Sequence, residues 1–186
     1  IGSIILLAPI ARLIATGLTP VVNNTLIKIG DIIQSSTDTN PLIMGIVLGG
    51  IITVVGTAPL SSMALTALLG LTGVPMAIGA MAAFSSAFMN SALFHRLKLG
   101  DRKSTISVGI EPLSQADIVS ANPIPIYVTN FFGGAIAGII IAWSGMINNA
   151  TGTATPIAGF LVMFGFNSLT KVIIYGVVMA IIGTIA

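Results

Sequence analysis

Glu111 is the sole glutamate of the chain, and a proline follows it directly. Gln115 and Asp117 come soon after, then Asn122 with prolines at 123 and 125. Proline disfavours the helical conformation of the residue before it. Glu111, Asn122 and Ile124 are therefore expected on interrupted backbone. A carboxylate so placed accepts hydrogen bonds from the hydroxyls of a polar solute, and it is a candidate to take up a proton. The plain alternative is a surface loop with Glu111 solvated. Both readings stand at this point.

The other residues with chemical potential are few. His95 is the only histidine. It reads either as a solute contact or proton relay, or as a helix-end residue beside Arg96. Asn90 and Ser91, one turn earlier, either line a polar path or bond a neighbouring helix. Asn130, within a glycine-rich stretch, carries the same two readings. Arg12 is read as an anion ligand or as a side chain snorkelling to the membrane surface. There is no cysteine, which excludes disulfides, thiolate metal sites and a phosphocysteine. One histidine without cysteine predicts no metal site. No glycine loop followed by Lys-Ser/Thr is present to cradle a nucleotide, and no cofactor is expected.

The setting of these residues is apolar. From Thr39 to His95, and again from Ile118 to Thr170, there is no Asp, Glu, Lys or Arg. The chain is 55% apolar and 6% charged, with a mean hydropathy of +1.07. A charge at the bilayer centre costs roughly 2.5–3.5 kcal/mol even on insertion scales, so charge-free blocks of this length read as membrane. Between them stand Arg96, Lys98, Arg102 and Lys103. A short basic cluster beside membrane spans marks the cytoplasmic loop. It is too short, and too poor in interleaved aromatics, to predict nucleic-acid binding.

The elements that must position Glu111 follow from apolar length and from Gly/Pro breaks. About 20 apolar residues cross the hydrocarbon. Ile4–Leu18 reads as the end of a crossing or as a helix facing the protein interior, and Pro20–Gln34 as an amphipathic interfacial helix. Pro41–Thr57, Val74–Arg96, Ile124–Trp143 and Ser168–Ala186 read as crossings. Gly45 and Gly49, and likewise Gly133, Gly134 and Gly138, have the small-residue spacing that brings helices close. Leu60–Leu71 and Pro156–Phe166 are too short to cross and sit at breaks, as re-entrant or half-helix pieces do. Such paired broken segments point to a transporter's midplane site. Ser104–Ala121 is read as a hairpin returning to the basic loop, the alternative being a full crossing that inverts everything after it. The expectation is an all-α polytopic membrane protein with about five or six transmembrane helices, re-entrant segments and one interfacial helix. It is expected as a single membrane-embedded domain in a bacterial inner membrane. The start at Ile1 and the apolar stop at Ala186 are read as the ends of a piece of a longer chain.

Gly109-Ile110-Glu111-Pro112 followed by Asn122-Pro123-Ile124-Pro125 resembles the Glu-Pro … Asn-Pro signature of enzyme IIC. Enzyme IIC is the membrane component of the bacterial sugar phosphotransferase system. With Asn130-Phe131-Phe132-Gly133-Gly134, the pattern is similar to a divergent enzyme IIC-like family described as toxin regulators, or perfringolysin-regulator-like membrane proteins. The resemblance extends over most of the chain. It implies that Glu111 lies at a sugar site and hydrogen-bonds a sugar hydroxyl, assisting its deprotonation. It also places His95 near the sugar, and it implies a homodimer. Phosphate would come from the thiol of a cytoplasmic enzyme IIB-like carrier, since this chain has no acceptor of its own. Ser114-Gln115-Ala116-Asp117 departs from the apolar Phe-Gly stretch of better-known members.

The expected function is binding and translocation of a small polar solute, which the resemblance implies is a sugar. The solute-binding residues are expected among Glu111, Gln115, Asp117, Asn122, Asn130, His95 and Asn90. Two alternatives stay open: a transporter or channel uncoupled from phosphotransfer, and a membrane sensor that carries nothing.

Overall fold

The computed structural model describes residues 2–37, 40–58 and 60–186. Every regular element among them is helical: α1 (Gly2–Thr37), α2 (Pro41–Thr57), α3 (Ser62–Leu68), α4 (Gly73–Leu97), α5 (Arg102–Ile110), α6 (Ala116–Ala121), α7 (Pro123–Ser144), α8 (Pro156–Val162) and α9 (Leu169–Ile185). A 3-10 turn, Pro112–Gln115, separates α5 from α6, and another, Met163–Gly165, extends α8. α4 and α7 are each long and apolar enough to cross a membrane alone. α2 and α9, with 17 residues each, span about 25 Å at 1.5 Å per residue.

One expectation is corrected at the N-terminus. Pro20–Gln34 is no separate interfacial helix, because α1 runs unbroken through Pro9 and Pro20. Each proline removes only its own N–H from the ladder, and apolar helices tolerate that local loss.

α4 is the central post. Residues Met76 to Ala83 along it are almost wholly buried. Their small Ala and Gly side chains let α2, α7, α8 and α9 close around them. α2 lies antiparallel to α7, and the two approach backbone to backbone. A Cβ on Gly49 would strike the carbonyl of Gly134, and one on Gly138 would strike that of Gly45. Only glycine permits this, and the approach brings the Thr53 hydroxyl within 2.7 Å of the Asn130 carbonyl, to which it donates. α9 runs beside α4. The Ser85 hydroxyl donates to the Met179 carbonyl at 2.8 Å, and the Arg96 guanidinium donates to the Thr184 carbonyl at 2.8 Å, closing the end of α9.

Three segments enter this bundle and turn back inside it. α2 ends at Thr57, and α3 returns to the Gly73 end of α4. From the opposite end, α5 folds back along α4, with Gly109 against the Ser91 hydroxyl and the Ala87 carbonyl. The third leaves α7 at Gly145 and pairs with the start of α4: Asn148 N–H donates to the Gly73 carbonyl, and Gly73 N–H to Asn149 Oδ1. It runs inward to Ala154 and returns as α8. Asn167 then ties back to Ile147 through both its N–H and its carbonyl. Residues 104–121 thus form the expected hairpin, and both short apolar pieces are half-helices.

Candidate functional site

The turning points of the three segments meet. Gly56, Leu60, Ser61 and Ser62 from the first, Glu111 to Leu113 from the second, and Ala154 to Pro156 from the third line one cleft of about 210 Å³. Ala83 and Ser86 of α4 form its back wall. Ser86 falls at the midpoint of α4, so the cleft sits at mid-depth. Its volume is below the roughly 300–1,000 Å³ of drug-sized pockets and suits a small solute.

Glu111 arrives there because α5 is only nine residues, about 14 Å, long and stops at Pro112. Glu111 itself is extended, with φ −145° and ψ 99°. Its carbonyl accepts from the Ser114 N–H at 3.0 Å and the Ser114 hydroxyl at 2.7 Å, which fixes the turn. Glu111 is exposed and lines the cleft, while Pro112 is buried beside it.

The hydroxyls around it divide by role. Ser62 donates to the Ala154 carbonyl at 2.8 Å and Ser86 to the Ala83 carbonyl at 2.8 Å. Both oxygens keep lone pairs. Ser61 and Thr155 cap α3 and α8, accepting from Ala64 N–H and Gly159 N–H. Among the described residues their own O–H groups have no acceptor. A carboxylate, two hydroxyl donors and two hydroxyl acceptors make a lining able to meet a polyhydroxylated molecule.

α8 is held in place by an aromatic run. Phe160 stacks on Phe84 of α4 at 4.1 Å, and Phe88 and Phe164 add edge-on contacts at the two ends. The end of α2 is held by polar groups instead. Asn130 Nδ2 donates to Asn90 Oδ1 at 2.7 Å, Asn90 Nδ2 donates to Thr57 Oγ1 at 3.2 Å, and Thr57 Oγ1 lies 3.2 Å from Asn130 Oδ1. All three are buried. The ring joins α2, α4 and α7 one helical turn from Ser86.

The expected site residues therefore divide. Glu111 lines the cleft. Asn90 and Asn130 come together, bonded to each other and to Thr57. Gln115 is half-buried and donates to the Ser114 carbonyl, Asp117 is exposed on the first turn of α6, and Asn122 donates to the Ile118 carbonyl. None of these three lines the cleft. His95 is at the far end of α4 with the basic loop, beside Asp101 and Arg102. There Asp101 caps α5. Its carboxyl is held below the usual carboxylate range by the Ser104 N–H first and the Ser104 hydroxyl second.

Ser61, Ser62, Ser86, Thr155 and Thr57 were missed in the sequence. The signal for them was present: Ser86 lies in the Ser/Ala/Asn-rich run of α4, and Ser61 and Thr155 immediately precede the two short helices.

Compared with curated proteins and with solved structures, the chain matches none. A family model described as Phosphotransferase system, EIIC matches residues 1–186. A match over the full length, on an all-helical bundle with half-helices meeting inside it, settles the assignment: the chain belongs to the phosphotransferase system EIIC family, the integral inner-membrane component of sugar transport.

Proposed function

We propose that the cleft at Glu111 is where this chain binds a small sugar or sugar-like solute and from which it passes it across the membrane. The observation that carries the reading is the meeting of the three turning points. Glu111, on broken backbone, lines the same mid-depth cleft as Ser61, Ser62, Ser86 and Thr155. Broken backbone survives at that depth only where protein or a wet cavity satisfies its polar groups. Glu111 is the acceptor for a sugar hydroxyl and the group able to take its proton. Ser61 and Thr155 donate to the solute, and Ser62 and Ser86 accept from it.

EIIC domains bind sugar and work with an EIIB component. On this reading the Arg96–Lys103 loop faces the cytoplasm and such a carrier brings phosphate to the solute from that side. The positive-inside rule supports the sidedness. The homodimer and the toxin-regulator-like branch rest on the motif resemblance at residues 109–112, 122–125 and 130–134.

The test is a thermal-shift screen of the purified protein against sugars and polyols, followed by Kd measurement for the solute found. Glu111→Gln should weaken binding at least tenfold with an unchanged unfolding temperature. An unchanged Kd removes Glu111 from the site. Vesicle uptake that requires phosphoenolpyruvate and the soluble phosphocarriers supports coupling to phosphotransfer, and uptake driven by an ion gradient alone overturns it.

A further inference from the structure

We propose that the turn between α4 and α5 is a binding site for a phosphate-bearing anion, held by Lys98, Arg102 and His95. These three side chains border a cavity of about 600 Å³ at the end of the bundle. The acid at its rim is engaged through one oxygen, Asp101 Oδ1, which accepts from the Ser104 N–H at 2.7 Å and the Ser104 hydroxyl at 2.8 Å. The Thr105 hydroxyl donates to the Asp101 carbonyl. Arg96 points away and closes the end of α9. Among the described residues, Lys98, Arg102 and His95 have no acceptor.

The backbone at Lys98 supplies a second observation. α4 ends in a paired-bond cap in which Leu99 N–H donates to the Phe94 carbonyl at 2.9 Å and Lys98 N–H to the His95 carbonyl at 3.4 Å. Leu99 packs near Phe94 under it. This cap requires a left-handed residue and is usually completed by glycine. Here the residue is Lys98, at φ 54°, the sole non-glycine with positive φ among the described residues. A strained position thus holds a cation whose side chain borders the cavity.

A phosphate suits this set, because a lysine ammonium supplies a compact charge and an arginine fork supplies two parallel donors to its oxygens. Leu97 and Ile106, both exposed, flank the turn with apolar surface. The phosphate therefore has two possible sources: the headgroup of an anionic lipid with its chains along those residues, or free phosphate. The site lies about 14 Å along α5 from Glu111 and is independent of the solute site.

The experiment uses the full chain in detergent. Unfolding temperature is measured with phosphatidylglycerol, phosphatidylcholine or inorganic phosphate, and bound lipid is counted by native mass spectrometry. Phosphatidylglycerol or phosphate should raise the unfolding temperature where phosphatidylcholine does not. A response to phosphatidylglycerol alone assigns the lipid headgroup, and a response to inorganic phosphate as well, or alone, assigns a site that takes the free anion. Lys98→Gly should have two opposite effects: a rise of roughly 2–4 °C without the anion, from relief of the left-handed strain, and loss of the anion response. Arg102→Ala should also lose the response. Lys171→Ala, in the first turn of α9 and outside this site, should keep it, and so should Glu111→Gln, which separates this site from the solute cleft. An equal response to phosphatidylcholine, or a full response in the Lys98→Gly/Arg102→Ala double variant, overturns the proposal.

Discussion

Asn130 and Asn90 are 40 residues apart in sequence and 2.7 Å apart in space, with the amide of the first donating to the carbonyl oxygen of the second. Thr57 completes the set from a third helix. Asn130 donates to Asn90 and Asn90 to Thr57, and the single Thr57 proton closes the ring when it turns to Asn130 Oδ1 at 3.2 Å. The Thr57 hydroxyl is also 2.8 Å from the Thr53 carbonyl, a bond that would open the ring on one side. The ring fixes the point where α2 stops, which is where one wall of the cleft begins.

Asn130→Ala should lower stability by about 2 kcal/mol, because it strands a buried partner as well as losing a bond. Asn90→Ala should cost a similar amount. The double variant should cost less than the sum by about 1 kcal/mol, since both substitutions break the same ring. Thermal unfolding of the four proteins in detergent measures this, and strict additivity would show that the two amides are not coupled.

Gly134→Ala should destabilise by about 1–3 kcal/mol, as overpacking in a tight core does. Its Cβ would press on the Gly49 carbonyl and the Thr53 hydroxyl. Gly17→Ala, with nothing within 4 Å of the new carbon, is the control and should be near neutral or stabilising. Equal unfolding temperatures for the two variants would contradict the close α2–α7 approach.

The cap at Asp101 predicts a pH dependence. Its carboxyl pKa is lowered in the folded protein by hydrogen bonds from Ser104. Its stabilising contribution is therefore present above the unfolded carboxylate pKa of about 3.9 and is lost as pH falls through the lower, folded value. Amide exchange at Ser104 and Thr105, corrected for the intrinsic rate, should accelerate over that range. In Asp101→Asn, which keeps a capping oxygen and cannot titrate, the acceleration should vanish.

Thr155→Ala should weaken solute binding two- to tenfold, the loss of one net hydrogen bond of about 0.5–1.5 kcal/mol. Thr155→Ser keeps both the cap and the donor and should restore it. Ser61→Ala should act in the same direction from the opposite wall. Isothermal titration with the solute from the screen decides this. Wild-type affinity in both alanine variants would place the solute elsewhere.

Much of the fold was legible because it depends on local physics. Charge-free runs gave the membrane blocks, and prolines at 41, 112, 123 and 156 stand at the starts of elements. α2, α4, α7 and α9 lie within a few residues of the expected crossings. α1 was misread because a proline weakens a helix without always ending it.

The amino-acid order by itself determined that Glu111 sits on broken backbone, that two segments are too short to cross, and that a basic turn closes one end of α4. Those properties follow from backbone sterics, apolar length and the cost of burying charge, each of which acts within a few neighbours. Tertiary structure alone decided which broken ends meet. It drew Ser61, Ser86 and Thr155 to Glu111, and turned Gln115 and Asp117 away from the cleft although they lie closest to Glu111 in sequence. That choice depends on how closely α2 and α7 can approach and where Phe160 finds Phe84. Packing between segments far apart in the chain settles such matters, and no local pattern encodes them.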